Sequence, residues 1–409
     1  MKKIGWLALL LMAFATNTNA QDWGIKFGGY LKTDMLYNTR KSVDLVDGEF
    51  YLYPERELLG IDGVDINAKP NFNMFSFQSR LQGKISAPDF LGAKVNGFLE
   101  ADFLGNATDL NTFRLRVASI NLDWGNYKLL IGQYWNPLYF VEAAPNVVQY
   151  NGGAPYIPFA RNPQVRFSYK PNNDLEFNLT AMSQRDFKSL GPKGNSNDYL
   201  KYSPMPTILN VGALYHISPE IFVGANGQYK LLKPKTTSSS TYEVNETIGG
   251  VIANAVIKVS PNDKFYALLQ ASFAQNANDL MMIGGFISSD DDFIKKTEKY
   301  TPTNTFAIAF DSEYGNKFKV GLFAGYSKNL GFAEEQNGTQ QNYYIFGAEI
   351  GQLMRISPRI MYRDGNMQIA TEFDYSKACY GAINPKTGIV ENANQVSNLR
   401  VQLSGMLFF

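Results

Sequence analysis

The chain has 409 residues, 38 Lys+Arg against 37 Asp+Glu, one histidine and one cysteine, with 18% charged and 14% aromatic side chains. Typical soluble domains carry about 25% charged residues. A lone Cys379 excludes an intrachain disulfide framework and a thiolate metal cluster, a lone His216 excludes a multi-histidine metal site, and near-zero net charge argues against a nucleic-acid partner.

Residues 1–20 begin with Lys2 and Lys3, continue with an apolar run from Ile4 to Ala15, and end with the small residues Thr18 and Ala20. That order of charge, apolar run and small residues is a cleaved secretory signal peptide, and it places residues 21–409 in a single exported domain. The run is shorter than the roughly 20 residues a transmembrane helix needs. No later stretch supplies such a helix, so two destinations remain: exported and soluble, or outer membrane.

Beyond residue 21 the dominant hydropathy signal has a period of two. Residues 75–85 set Phe75, Phe77, Leu81 and Ile85 against Gln78, Arg80, Gln82 and Lys84. Residues 93–103 repeat the pattern with Val95, Leu99, Ala101 and Phe103 against Lys94, Asn96, Glu100 and Asp102, and 174–184 do so again. Alternation of this kind means strands with one apolar and one polar face. Along the chain it predicts sixteen, near 24–39, 72–86, 93–105, 112–123, 126–134, 163–170, 174–185, 207–217, 220–231, 247–259, 263–275, 304–314, 317–328, 341–363, 367–377 and 395–409. The segment 341–363 is long and contains Pro358, but Tyr344, Phe346, Ile350, Ile356 and Ile360 keep one phase, so it reads as one strand.

Connections alternate in length. Tight turns at 87–92, 125–126, 171–173, 218–219, 261–263, 315–316 and 364–366 are interleaved with longer segments at 40–71, 106–111, 135–162, 186–206, 232–246, 276–303, 329–340 and 378–394. A soluble sandwich has no reason to sort its loops by parity. An all-β fold, a transmembrane antiparallel β-barrel of sixteen strands, does, with short periplasmic turns and long extracellular loops. Phe90, Trp124, Tyr127, Tyr169, Tyr314, Phe318 and Tyr362 crowd the tight-turn ends, as a girdle at a membrane boundary requires. The chain closes on an amphipathic strand ending in Phe409, which resembles the signal read by the outer-membrane barrel assembly machinery.

Sixteen strands leave an aqueous channel unless something fills it. By phase the lumen carries seventeen basic and nine acidic side chains, and a like-charged lumen biases ion entry, here toward anions. Lys32, Arg80, Arg114, Arg116 and Arg166 fall away from the periplasmic mouth. The loop at about 135–162 carries Glu142, Gly152 and Gly153 beside an unusually apolar run (Leu138, Tyr139, Phe140, Val141), which marks it as an inward-folding constriction.

The runs FRLRVASINLDW (113–124), LLIGQYWNPLYF (129–140) and RNPQVRFSYK (161–170) resemble the DcaP-like branch of trimeric outer-membrane porins of Gram-negative bacteria. The resemblance implies a homotrimer with an arginine-rich constriction that passes small anionic solutes such as dicarboxylates, with Arg114, Arg116, Arg161 and Arg166 at the basic wall positions. It implies passive diffusion and ion transport through the outer membrane, no catalysis and no cofactor. The helical stalk before the barrel in prominent members has no heptad counterpart here, which excludes trimerisation through it.

Three rivals set the tests for this reading. A substrate-specific channel differs from a porin only in holding a tight site. A ligand-binding or adhesin barrel would use the long loops, whose first holds Asp44, Asp47, Glu49, Glu55, Glu57, Asp62 and Asp65, oxygens that calcium could also use. An outer-membrane barrel lipase would need His216 as its base.

Overall fold

The computed structural model describes residues 23–105, 112–192, 194, 198–292, 294–337 and 341–409. The signal segment and the predicted loop at 106–111 lie outside the described residues.

Sixteen strands form the wall: β1 (Gly24–Asn38), β2 (Arg80–Phe90, extended upstream by Asn71–Phe75), β3 (Ala93–Asp102), β4 (Arg114–Asp123), β5 (Tyr127–Trp135), β6 (Arg161–Tyr169), β7 (Leu175–Met182) and β8 (Ile208–Ser218). The second half supplies β9 (Ile221–Leu232), β10 (Ile248–Asn262), β11 (Phe265–Gln275), β12 (Thr297–Gly315), β13 (Phe318–Phe332), β14 (Ile350–Asp364), β15 (Met367–Ile383) and β16 (Val390–Phe408). Each pairs antiparallel with its neighbours, and β1 closes the ring on β16 in a register running from Tyr30↔Phe408 to Asn38↔Arg400.

Alternation dictates what faces where. Along β9, Phe222, Gly224, Asn226, Gln228 and Lys230 point in, while Val223, Ala225 and Tyr229 point out. Along β14, Leu353, Arg355, Ser357, Arg359 and Met361 are buried, and Met354, Ile356, Ile360 and Tyr362 are exposed. Round the whole ring the outward set is apolar, with Leu99, Ile120, Val165, Leu179, Val211, Val251, Leu269 and Leu403 all exposed. An apolar belt outside a polar interior is what hydrocarbon, not water, covers, and closure leaves no unpaired strand edge within it.

The predicted girdle aromatics are all exposed at the tight-turn rim. Tyr127 stacks on Tyr169 with ring centroids 5.1 Å apart. Two of the turns below them use glycines in the left-handed region, Gly125 (φ 87°) and Gly365 (φ 55°), where a Cβ would be strained.

Two corrections concern the extracellular side. Residues 341–363 are not one strand: Gln341–Phe346 pairs with Gly284–Ser289 of the sixth long loop, and β14 begins only at Ile350. Gly347 (φ 69°) turns the chain between them, and a register shift between Ile350 and Gln352 breaks the phase that periodicity appeared to carry. Pro358 sits inside β14 as expected, where the β14–β15 pairing lapses over Ser357 and Pro358 and resumes in the same register. The long loops also hold their own sheet, Ser42–Leu45 with Phe50–Pro54 in the first, and Gly284–Asp292 beside the start of β12 in the sixth.

Leu403 lies in the belt opposite Met35 and Thr371. Leu403→Arg is expected to lower barrel stability by about 2–4 kcal/mol if the site lies near the bilayer midplane. Reversible denaturant unfolding in lipid vesicles measures this.

Candidate functional site

Loop 3, residues 136–160 between β5 and β6, enters the barrel: Leu138, Phe140, Val148, Tyr150, Tyr156, Ile157 and Phe159 are all buried. Its path round the inner wall is set by the hydrogen-bonding needs of its own backbone. At β9 and β10, Asn226 Nδ2 donates to the Pro137 carbonyl (3.0 Å) and Asn254 Nδ2 to that of Leu138 (2.5 Å). Phe140 lies over Gly224, where a Cβ would meet its ring at 2.5 Å. Lower down, His216 Nε2 is 3.0 Å from the Glu142 carboxylate, and Lys258 Nζ donates to the Glu142 carbonyl (2.7 Å).

The loop then crosses to the opposite wall. Asn146 donates its backbone N–H to Asp311 (3.0 Å) and its side-chain amide to Glu313 (2.6 Å). Val148 N–H donates to Glu372 (2.5 Å), and Gln149 Nε2 to Asp374 (2.6 Å). Carboxylates on β12 and β15 therefore accept what the irregular segment cannot satisfy internally. At the far end the Tyr150 hydroxyl accepts from Arg114 Nη2 (2.5 Å) and Arg116 Nη1 (2.6 Å) on β4. Burial alone would raise the Tyr150 phenol, but the Arg116, Arg114 and Arg161 guanidinia hold it below its ordinary range.

Loop 3 does not enter alone. In the first loop Phe50, Tyr51, Leu52 and Tyr53 are buried at 0–3% exposure. Tyr51 lies between the guanidinia of Arg355 and Arg400, 5.3 and 4.7 Å from its ring centre. Arg355 donates to the carbonyls of both Leu52 (2.9 Å) and Ala154 (3.1 Å), tying the two loops to one side chain. With Met281 and Ile283 of the sixth loop and Phe323 and Leu353 of the wall, they form an apolar cluster inside the barrel. No folded domain is needed to fill part of the lumen. The apolar residues of the first loop gave no periodic signal that would have found this.

The acids of the first loop are held locally. Asp65 pairs with Arg40 (2.5 Å) and accepts from the Leu58 and Asn67 N–H groups, and Asp44 accepts from Ser42. Among the described residues no group of three or more His, Cys, Asp or Glu is placed to hold a metal ion. Glu49 differs: it is 2% exposed and neither carboxyl oxygen has a hydrogen-bond partner. Burial and then the neighbouring Asp34 push its carboxyl up to about 8, against the opposing pull of Lys32 and Arg400.

The predicted site residues separate into two groups. Arg114 engages Asp102 through two hydrogen bonds (3.1 and 2.9 Å), Arg116 pairs with Glu100 (2.7 Å) and Asp102 (2.9 Å), and Arg80 lies 3.6 Å from Glu100. Arg161 pairs with Asp186 at 2.5 Å, and Lys32 with Asp34 at 3.2 Å while donating to the Val148 carbonyl. All five stand beside a carboxylate within 4 Å. Arg166 is the exception: it donates to Gln164 Oε1 (2.8 Å) and the Trp135 carbonyl (2.7 Å), and no carboxylate lies within 4 Å among the described residues. Glu142 sits at the loop's lowest turn with its side chain half exposed.

Two spaces flank the loop. A cavity of about 780 Å³ opens at the tight-turn end, lined by Glu142, Asn146, Lys258, Tyr266 and Lys319. A second, of about 280 Å³, lies between loop 3 and β5–β9 and is lined by Tyr134, Trp135, Tyr139, Phe140, Arg166, Asn178 and Asn226.

Among solved structures the fold is similar to the outer-membrane channel DcaP of Acinetobacter baumannii, with TM-score 0.66 and 15% identity over 96% of this chain and 99% of that one. It is also similar to the trimer form of OmpT of Vibrio cholerae (TM-score 0.58, 11% identity, 95% and 100% covered). An anion-selective porin from Comamonas acidovorans matches at TM-score 0.54 and 11% identity, with 95% and 100% covered. No family model matches the sequence, and no curated protein does. At these identities the likeness is one of fold alone, a closed antiparallel β-barrel.

Two outcomes follow from this geometry. Arg116→Met leaves Glu100 and Asp102 short of a buried partner and should cost about 3–5 kcal/mol in denaturant unfolding. Glu49 is raised above its ordinary 4.5, so its contribution to seating the first loop is full below that value and is lost as pH climbs through about 8. Hydrogen exchange over residues 43–54 should accelerate between pH 6 and pH 9.5, and Glu49→Gln should abolish that acceleration.

Proposed function

We propose that this chain forms a water-filled channel in the outer membrane, through which small hydrophilic solutes, anions preferentially, diffuse passively. The observation that carries this reading is the charge left over after pairing. Lys26, Lys84, Arg166, Lys258 and Arg363 face the lumen with no carboxylate within 4 Å, as does the more deeply buried Arg400, among the described residues. The wall acids Asp34, Glu100, Asp102, Glu176, Asp311, Glu313 and Asp374 all sit in ion pairs. Glu372 is engaged by loop 3 and Ser357. Lys26 and Lys84 stand directly opposite each other near the periplasmic mouth, where unopposed positive charge concentrates anions.

Dicarboxylates fit this lumen as a solute class, since two negative ends meet separated cations along it. A homotrimer is the assembly we favour, supported by the trimer form recorded for OmpT, with lipid and the barrel assembly machinery as the remaining partners. The lipase alternative is disfavoured by His216, which is engaged by Glu142 and lies 5.2 Å from the Phe222 ring inside the barrel. An adhesin reading has no comparable feature in its favour.

Purified protein in a planar bilayer should give stepwise conductance, and a salt gradient should give a reversal potential on the anion side. Replacing Lys26, Lys84 and Lys258 together by Gln should move that potential toward cations. Absence of conductance from folded protein would sink the channel reading. A cation-selective wild type would sink the charge argument alone.

A further inference from the structure

We infer that the outer wall over β9–β15 docks a phosphorylated, acylated lipid of the outer leaflet, its phosphate on β13–β15 and an acyl chain across β9–β12. The inference rests on the barrel's place in the outer membrane and not on what passes through its lumen. Lys328, Gln352 and Lys377 face outward, in phase with Tyr326, Met354 and Tyr375 of the apolar belt. Each stands ten residues along its strand from the tight-turn end, counted from Phe318, Tyr362 and Met367. Ten residues of a strand tilted by about 40° climb about 25 Å, the height of the apolar band of such barrels. The three therefore lie at the outer-leaflet boundary, opposite the tight-turn girdle.

Among the described residues neither lysine has a carboxylate within 4 Å. Register sets Lys328 opposite Gln352 and Lys377 opposite Met354, so the two lysine Cα atoms are about 12 Å apart. Extended side chains from both converge on one phosphate, beside the Gln352 amide that accepts from the Tyr326 hydroxyl (3.2 Å). A lysine at a membrane boundary ordinarily lifts its charge to water. Lys377 instead holds its Nζ 5.6 Å from the ring centre of Tyr375, two positions nearer the membrane interior. Among the described residues the outward positions beside the pair, Tyr326, Leu330, Met354 and Tyr375, carry no acid that would hold a headgroup amine. The charge therefore suits a phosphate without a neighbouring ammonium.

A groove leads away from this pair. From Lys377 a lateral row runs through Met354, Tyr326 and Ile308 to Ala271. There the outer wall sinks into an apolar groove of about 590 Å³, which continues over Ala255 and Ala225. Its extracellular edge is formed by Phe273 and Phe306, and Phe306 is directly opposite Lys328. Two strand spacings, about 10 Å, separate Lys328 from Phe273. A Cβ on Gly227 in the groove would meet only Val211 Cγ2, at 3.8 Å, so the space above it is open. The row also nears the tight turns as it goes: Lys377 is ten residues from Met367, while Ala225 is four from Ile221. It slopes from the boundary into the leaflet, the path of an acyl chain below its headgroup.

The test is equilibrium binding of bisphosphorylated lipid A and of its fully dephosphorylated form to the folded, detergent-solubilised protein, followed by native mass spectrometry. The phosphorylated form should half-saturate at a concentration about tenfold lower, the difference that charge-assisted pairing to one phosphate produces. Lys328→Gln with Lys377→Gln should make the two forms bind alike, while Lys41→Gln with Lys69→Gln, elsewhere on the extracellular side, should leave the difference intact. Gly227→Leu with Ala255→Leu fills the groove and should weaken both forms about equally. Equal binding of the two forms by the wild type overturns the inference without any variant. So does a phosphate preference that survives loss of Lys328 and Lys377, or one lost equally with Lys41 and Lys69, which marks general attraction to surface charge. Unweakened binding to the filled groove overturns it too, as does a change in that variant's oligomeric mass, which assigns the groove to a second copy of the chain.

Discussion

A peptide N–H or C=O in hydrocarbon has no water to turn to, so a strand can cross a membrane only if both its edges are paired. In this chain that requirement is met only when β1 meets β16, the two ends of the ring, across a register that begins at Tyr30 and Phe408. Closure then determines the rest. Once the ring is closed, odd and even residues must face different solvents, so the outside becomes Leu, Ile, Val and aromatic while the inside is left to Asn, Gln, Ser and charge. A sixteen-stranded ring is also too wide for wall side chains to fill, so whatever narrows it must come from the loops.

Loops brought into a low-dielectric interior bring their own unsatisfied backbone groups, and the wall chemistry answers them unequally. On β12 and β15 carboxylates accept N–H groups of loop 3, and on β4 two arginines donate to a phenol. On β14 one guanidinium bridges the carbonyls of two different loops. Those walls are committed to structure. The wall from β8 to β9 takes part as well: Asn226 donates to the Pro137 carbonyl, His216 meets the Glu142 carboxylate, and Gly224 seats the Phe140 ring.

Much of this was legible in the sequence, because a period of two is a local property. Alternation in residues 93–103, the parity of loop lengths and the aromatics at the tight turns all depend on neighbours a few positions apart. What escaped depends on distant partners. Phe50–Pro54 reads as loop, since its burial comes from Asn151, Arg355 and Tyr380, 100 to 326 positions away. The arginines of β4 read as free lumen charge, and only the register with β3 reveals that Asp102 lies opposite Arg114. Residues 341–363 kept their phase in sequence and lost it in space, because a strand from the sixth loop pairs with the first six residues.

Sockets at Gly224 and Gly325 have a consequence for the order in which the molecule is built. Phe140 and Tyr156 rest on those glycines, where a Cβ would come within 2.5 and 2.4 Å, and the glycines belong to β9 and β13, strands synthesised well after loop 3. The carboxylates of Glu372 and Asp374 that receive Val148 and Gln149 come later still, 224 and 225 positions downstream. Loop 3 can find its seat only when the second half of the chain has arrived. Seating of loop 3, and with it the narrowing of the passage, is therefore a late event on the folding route.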